Sequence, residues 1–214
     1  VPRPSKPLIS RHSTVQAALE IIDSEGLEAL SLPRLARHMN VKAPSLYHHF
    51  SDKSEILAAV AREIVAKTVQ PRKPTDGDWQ GWFVQLSLNF RTAVLRHRRA
   101  APILLEFLPR ELLTTSYEDV CTFLIACEVP VSVHVLLLDG LEKLSLGSTI
   151  AEAMRPTQQR RVAFPHIDPE RHPHLLAAQE ANDLTPRQVF EQTVRSYLVG
   201  MERLVQVARL QRTA

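Results

Sequence analysis

A chain of 214 residues, 44% apolar and 23% charged, is long enough for one sizeable core or for a small domain joined to a larger one. No run of 18 apolar residues occurs, so a membrane-spanning helix is not expected, and the basic N-terminus VPRPSKPLISRH lacks the apolar stretch of a secretory signal. The net charge of +3 is unevenly spread: residues 1–73 carry eleven Lys and Arg against seven Asp and Glu, which points the front third toward a polyanionic partner.

Glycine is scarce (six residues) while Leu, Ala, Arg, Glu and Gln are common, so helix is favoured throughout. Residues 1–9 hold three prolines and read as an arm. Val15, Ala18, Leu19 and Ile22 recur at helical spacing and predict a helix over 11–25, stopped by Gly26. Ser31 is placed to cap a second short helix with Pro33 in its first turn, where a missing N–H costs nothing. Asn40, tolerant of positive φ, turns the chain into a third helix near 43–49 that again opens on a proline, Pro44. Ser51 or Asp52 caps a fourth helix, which runs over about 52–70 and links the head to the larger domain. The segment QPRKPTDGD, residues 70–78, marks a boundary between a domain of residues 1–70 and one of residues 75–214. Longer helices are expected beyond it, over 79–97, 100–107, 111–127, 130–154 and 186–210, with a short one near 173–181. Cys121 and Cys127 lie six apart on a predicted helix and face different sides, so no disulfide is expected between them and a reducing cytoplasm is the simplest setting.

Two short helices joined by a tight turn, with a packing helix in front, make a helix-turn-helix. The second helix must be short and polar outside to enter a major groove about 12 Å wide, and apolar inside to stay docked. Leu46 and Phe50, four apart, supply the inner face. Lys42, Ala43, Pro44, Ser45, Tyr47, His48 and His49 then fall on the outer face or its rim.

The stretch LSLPRLARHMNVKAPSLYHHFSDKSEIL resembles the DNA-binding domain of the TetR family of bacterial transcriptional regulators. The pattern is carried by Leu35-Ala36, the Asn40-Val41 turn, Leu46-Tyr47-His48-His49-Phe50 and Lys53, within a match over about residues 10–65. The resemblance implies an all-α homodimer: two three-helix helix-turn-helix heads, each on a larger C-terminal helical domain for ligand binding and dimerisation. It also implies a near-palindromic double-stranded DNA operator, a small-molecule effector of unknown identity, and action as a repressor that the effector releases. Tyr47, His49 and Lys53 match the family's backbone-contacting positions, and Pro44, Ser45 and His48 its base-facing ones. Pro33 stands where the family often has a phosphate-reaching side chain, and Arg34 is the expected replacement.

The larger domain offers an apolar pocket drawn from Trp82, Phe83, Leu86, Phe90, Phe107, Tyr117, Cys121, Leu138 and Leu141, with Glu142 as an acidic group; the same residues suit an ordinary core equally well. The broad apolar face of the last helix, with Gly200 as a point of close approach, suggests dimerisation through the 130–154 and 186–210 helices. His166, His172 and His174 carry no recognised metal-ligand spacing, and neither a metal nor another cofactor is expected. Nucleophile elbow, phosphate-cradling glycine loop and paired carboxylates are all missing from the sequence, so an enzyme is not expected. The rival readings are a carrier or sequestering protein, or a cytoplasmic helical enzyme, in either case without DNA binding.

Overall fold

The computed structural model describes residues 10–156, 158 and 164–213. The arm of residues 1–9 falls outside that range. Ten α-helices make up the described chain: α1 (Arg11–Glu25), α2 (Leu32–His38), α3 (Ala43–Tyr47), α4 (Lys53–Ala66), α5 (Trp79–Leu95), α6 (Ile103–Glu106), α7 (Arg110–Ala126), α8 (His134–Ala153), α9 (Pro173–Glu180) and α10 (Pro186–Thr213). Short 3-10 turns at Leu27–Ala29 and Val131–Val133 lead into Leu30 and α8, and no strand occurs among the described residues.

The residues form two compact units. The first takes residues up to Gln70 together with Asn89–Glu118; the second takes Pro71–Leu88 and the residues from Asp119 onward. By packing, then, Asn89–Glu118 group with the head, although the sequence pattern sets them in the larger domain.

In the first unit α1 packs on α4 and α2, and α2 on α3. Local chemistry sets these helices. Ser10 caps α1 in a reciprocal box with Ser13, and Gly26 ends it at φ 100°, a conformation costly for any other residue. Ser31 caps α2, with Pro33 in the first turn. The exit from α2 is a Schellman motif: Val41 N–H donates to Ala36 O at 2.9 Å and Asn40 N–H to Arg37 O at 3.2 Å. Asn40 takes the left-handed position at φ 53°, so the turn works without glycine. Asp52, rather than Ser51, caps α4, accepting Glu55 N–H at 2.9 Å. Side chains buried in this unit include Ile21, Ile22, Leu30, Leu35, Leu46, Phe50, Ile56 and Ile64. His97 and Arg99, on the turn after α5, hold the far end of α1 through Asp23 and the Ser24 carbonyl.

In the second unit the core joins Trp79, Trp82, Phe83 and Leu88 of α5 to Phe123 and Leu124 of α7, Leu137 and Leu141 of α8, and Phe190, Val194, Leu198, Met201 and Val205 of α10. Trp82 meets Phe83 edge-on at 5.0 Å and Phe123 at 5.2 Å between ring centroids. Its indole N–H donates to Pro71 O at 3.0 Å, anchoring the start of this unit. Within the chain, α8 and α10 come close at Gly140, where Tyr197 packs, while Gly200 on α10 has open space beside it. Neither Cys121 nor Cys127 is in a disulfide among the described residues.

Candidate functional site

The third helix is a single short turn and a half. Ala43, Pro44 and Ser45 open it, Leu46 is fully buried, and Tyr47 stands 56% exposed. It stops at Tyr47, two residues before the expected end, because His48 is its C-cap and His49 N–H already turns back to Leu46 O. Lys42, Pro44, Tyr47 and His48 are exposed, and Ala43, Ser45, His49 and Lys53 are half-exposed. All lie within twelve residues whose inner side is pinned by Leu46 and Phe50.

A side chain from outside the motif braces this surface. Arg11 stacks its guanidinium over Phe50, 4.3 Å from the ring centroid, donates to His49 O, and pairs with Glu55 at 2.7 Å. Glu55 also accepts Ser51 N–H at 2.7 Å and Ser51 O–H at 3.1 Å. One carboxylate therefore ties the start of α1 to the corner between α3 and α4, the corner that carries His49 and Lys53. The Ser51 N–H first, then Arg11 and the Ser51 hydroxyl, hold the Glu55 carboxyl below its ordinary value. Arg11 escapes a motif search because its partners stand 38 and 44 residues away.

Arg34 occupies the position next to Pro33, but its guanidinium grips the carboxylate of Glu25 through two hydrogen bonds. That contact lowers the pKa of Glu25 and raises that of Arg34. His38 pairs with Glu20 at 2.8 Å, so α2 is fastened to α1 on this side as well. For Arg37, Lys42 and Lys53 no ion pair is found among the described residues, leaving three cations near α3 available to an external anion.

The pocket residues proposed from sequence divide between the units. Trp82, Phe83 and Leu141 are buried in the second unit's core, with Leu86 and Leu138 packed against it. Cys121 and Glu142 belong to the same unit and are half-buried. Phe90, Phe107 and Tyr117 belong to the first unit and are half-buried there. Phe107 lines a groove of about 730 Å³ with Arg11, Val15, Ala58, Ala59 and Arg62. In the second unit a groove of about 440 Å³ runs along α10 past Gln80, Leu198, Glu202 and Arg203.

Apolar side chains also face outward. Val135 and Leu136 of α8 and Val199, Leu204, Val207 and Leu210 of α10 are exposed, Val135 at 78% and Leu210 at 70%. Among the described residues no helix is long and apolar enough to cross a membrane. His172 is used locally, its Nδ1 accepting Asp168 N–H at 3.0 Å.

Comparison with known proteins bears on the same residues. Residues 15–60 match the family model described as bacterial regulatory proteins, tetR family. The chain is 27% identical to the class D tetracycline repressor of Escherichia coli over 210 residues, covering 96% of this chain and 92% of that repressor. A crystal structure described as a possible TetR family transcriptional regulator of Streptomyces coelicolor A3(2) superposes with a TM-score of 0.75 at 26% identity, over 91% of this chain and all of that one. The structure of BioQ with its double-stranded DNA operator matches with a TM-score of 0.58 at 27% identity, over 71% of this chain and 92% of that one.

Proposed function

From the match of residues 15–60 to the tetR-family model and the similarity to a tetracycline repressor along most of the chain, we infer that the protein is a TetR-family regulator, a ligand-responsive transcriptional repressor acting as a homodimer on a near-palindromic operator in the cytoplasm. The observation that carries the reading is α3 itself. A five-residue helix with Leu46 buried beneath it and Tyr47, His48 and Lys42 exposed above it has no evident structural need for that outer cluster. A duplex does: it presents phosphates on the rims and base edges on the floor of the major groove.

In this reading Lys42, Tyr47, His49 and Lys53 contact phosphates, while Pro44, Ser45 and His48 face bases and Ala43 lets the backbone come close. Arg34 joins the phosphate contacts by leaving Glu25. Two heads then sit on half-sites about one helical turn apart, or a multiple of it. The exposed apolar faces of α8 and α10 supply the dimer contact, since six large side chains exposed on two helices call for a partner surface. A relative named as a tetracycline repressor supports a small-molecule effector held in the helical domain. The candidate lining within the second unit is Trp82, Phe83, Leu86, Cys121, Leu138, Leu141 and Glu142. Such a ligand acts only through different affinities for the operator-binding and released arrangements of the two heads.

Fluorescence anisotropy with the DNA upstream of the protein's own coding region tests the proposal. Binding is expected to weaken with salt at a slope of roughly −0.9 per neutralised phosphate. Tyr47→Ala and Lys53→Ala should weaken binding to operator and random DNA alike, while Ser45→Ala and His48→Ala should change the preference between them. A wild-type protein that fails to bind its upstream DNA, or four variants with equal losses on both DNAs, would sink the assignment.

A further inference from the structure

Hydroxyl side chains inside helices commonly turn back and donate to the carbonyl one turn earlier. This chain follows that habit repeatedly: Thr14 bonds Ser10 O, Ser24 bonds Glu20 O, Thr114 bonds Arg110 O, Ser116 bonds Leu112 O and Thr193 bonds Val189 O. Thr149 in α8 breaks it. The residue is 0% exposed, and its Oγ1 has no hydrogen-bond partner among the described residues. One turn earlier on the same i, i+4 row, Ser145 is also buried, and its hydroxyl meets that of Ser87 on α5 at 3.4 Å, a long and weak contact. The row therefore changes character along α8, from Leu137 and Leu141 to Ser145 and Thr149.

Few buried polar groups in native proteins lack a partner, and an apolar core gains nothing from three hydroxyls that barely bond one another. We propose that Ser87, Ser145 and Thr149 form the hydrogen-bonding station of the effector site and select an uncharged, apolar molecule that carries a carbonyl oxygen. The inference rests on the reading of this chain as an effector-responsive regulator. The lack of charge follows from the surroundings. The other buried polar side chain described in this unit is His134, whose Nε2 lies 3.0 Å from Val129 O, and no buried carboxylate, ammonium or guanidinium is described there to balance an ionic ligand, the nearby Glu142 being half-exposed and already engaged by a partner. The carbonyl follows from Thr149, whose hydroxyl has a proton to donate and no acceptor. The apolar body follows from Leu141, Ile150 and Ala153, the buried neighbours along α8.

The test uses the full-length protein and three probes of similar shape: naphthalene, 1-tetralone and 1-naphthoate, which present no polar atom, a carbonyl and a charge. Affinities are read by ligand-observed NMR. Wild type should prefer 1-tetralone to both others. Thr149→Val keeps the shape, removes the hydroxyl, and should erase that preference by roughly three- to tenfold, the range expected for one buried neutral hydrogen bond. Without probe, Thr149→Val should melt higher than wild type, because it deletes a donor that has nothing to bond. A lower melting point would show that the hydroxyl is already paired in the free protein and would overturn the proposal. So would a wild type without preference for the ketone, or a Thr149→Val variant that retains it. If the protein binds its upstream DNA and the probes fail to discriminate, this inference alone falls; if it binds no DNA, the regulator reading falls with it.

Discussion

Gly140→Ala tests the packing of α8 on α10 directly. A Cβ built at Gly140 lies 2.2 Å from Tyr197 Oη, 2.9 Å from its Cζ and 3.2 Å from its Cε2. The first two are closer than non-bonded heavy atoms sit, so the ring must move. Moving it breaks the bond that Tyr197 O–H donates to Leu136 O at 2.7 Å. Overpacking costs about 1–3 kcal/mol and the lost hydrogen bond about 1 kcal/mol, while replacing a helical Gly by Ala returns about 0.5–1 kcal/mol. The net expectation is a loss of about 1–3 kcal/mol, with roughly 2–4 °C in Tm for each kcal/mol. Urea unfolding at fixed protein concentration measures it, with the buried Trp79 and Trp82 as fluorescent reporters. The sign of the effect is diagnostic. In a Tyr197→Ala background the obstacle is gone, and Gly140→Ala should stabilise by about 0.5–1 kcal/mol. The same sign in both backgrounds would refute the clash as the cause.

Glu55→Gln should make the head less dependent on acid. The Glu55 carboxyl titrates below its ordinary 4.5 in the folded protein, so its contribution is complete above the unfolded value and disappears as pH falls through the folded one. Wild type should exceed the variant in urea midpoint at pH 7, and the gap should shrink as pH falls below 4.5; a gap independent of pH would count against the Arg11–Glu55–Ser51 brace. Glu25→Gln frees Arg34 from its partner. Operator affinity should rise and the salt slope steepen by roughly 0.9 for one added phosphate contact; an unchanged slope removes Arg34 from the interface. Leu204→Glu combined with Val207→Glu should yield a helical monomer by analytical ultracentrifugation, with operator affinity greatly reduced. A variant that remains dimeric would move the subunit contact elsewhere.

The parts legible in the sequence are those decided within a few residues. Gly26, Ser31, Pro33, Asn40 and Pro44 act through their own φ, a missing N–H or a cap, and they place α1, α2 and the turn into α3 without reference to anything remote. Leu46 and Phe50 can be assigned to the inside by spacing alone, which leaves Tyr47 and His48 outside. The end of α3 is less legible: a C-cap depends on which carbonyl the next N–H finds, and here His49 finds Leu46.

What helical periodicity determined is therefore an all-helical chain whose short α3 turns its polar face outward, because helix and cap energies are local. Tertiary structure decided which like residues do different things. It set Tyr197 against Gly140, tied Arg34 to Glu25 and Arg11 to Glu55, and left Thr149 alone among buried neighbours while several other helical hydroxyls found carbonyls. Those choices depend on groups brought together from 9 to 61 residues apart along the chain. Spacing along one helix carries no record of what a second helix places opposite it.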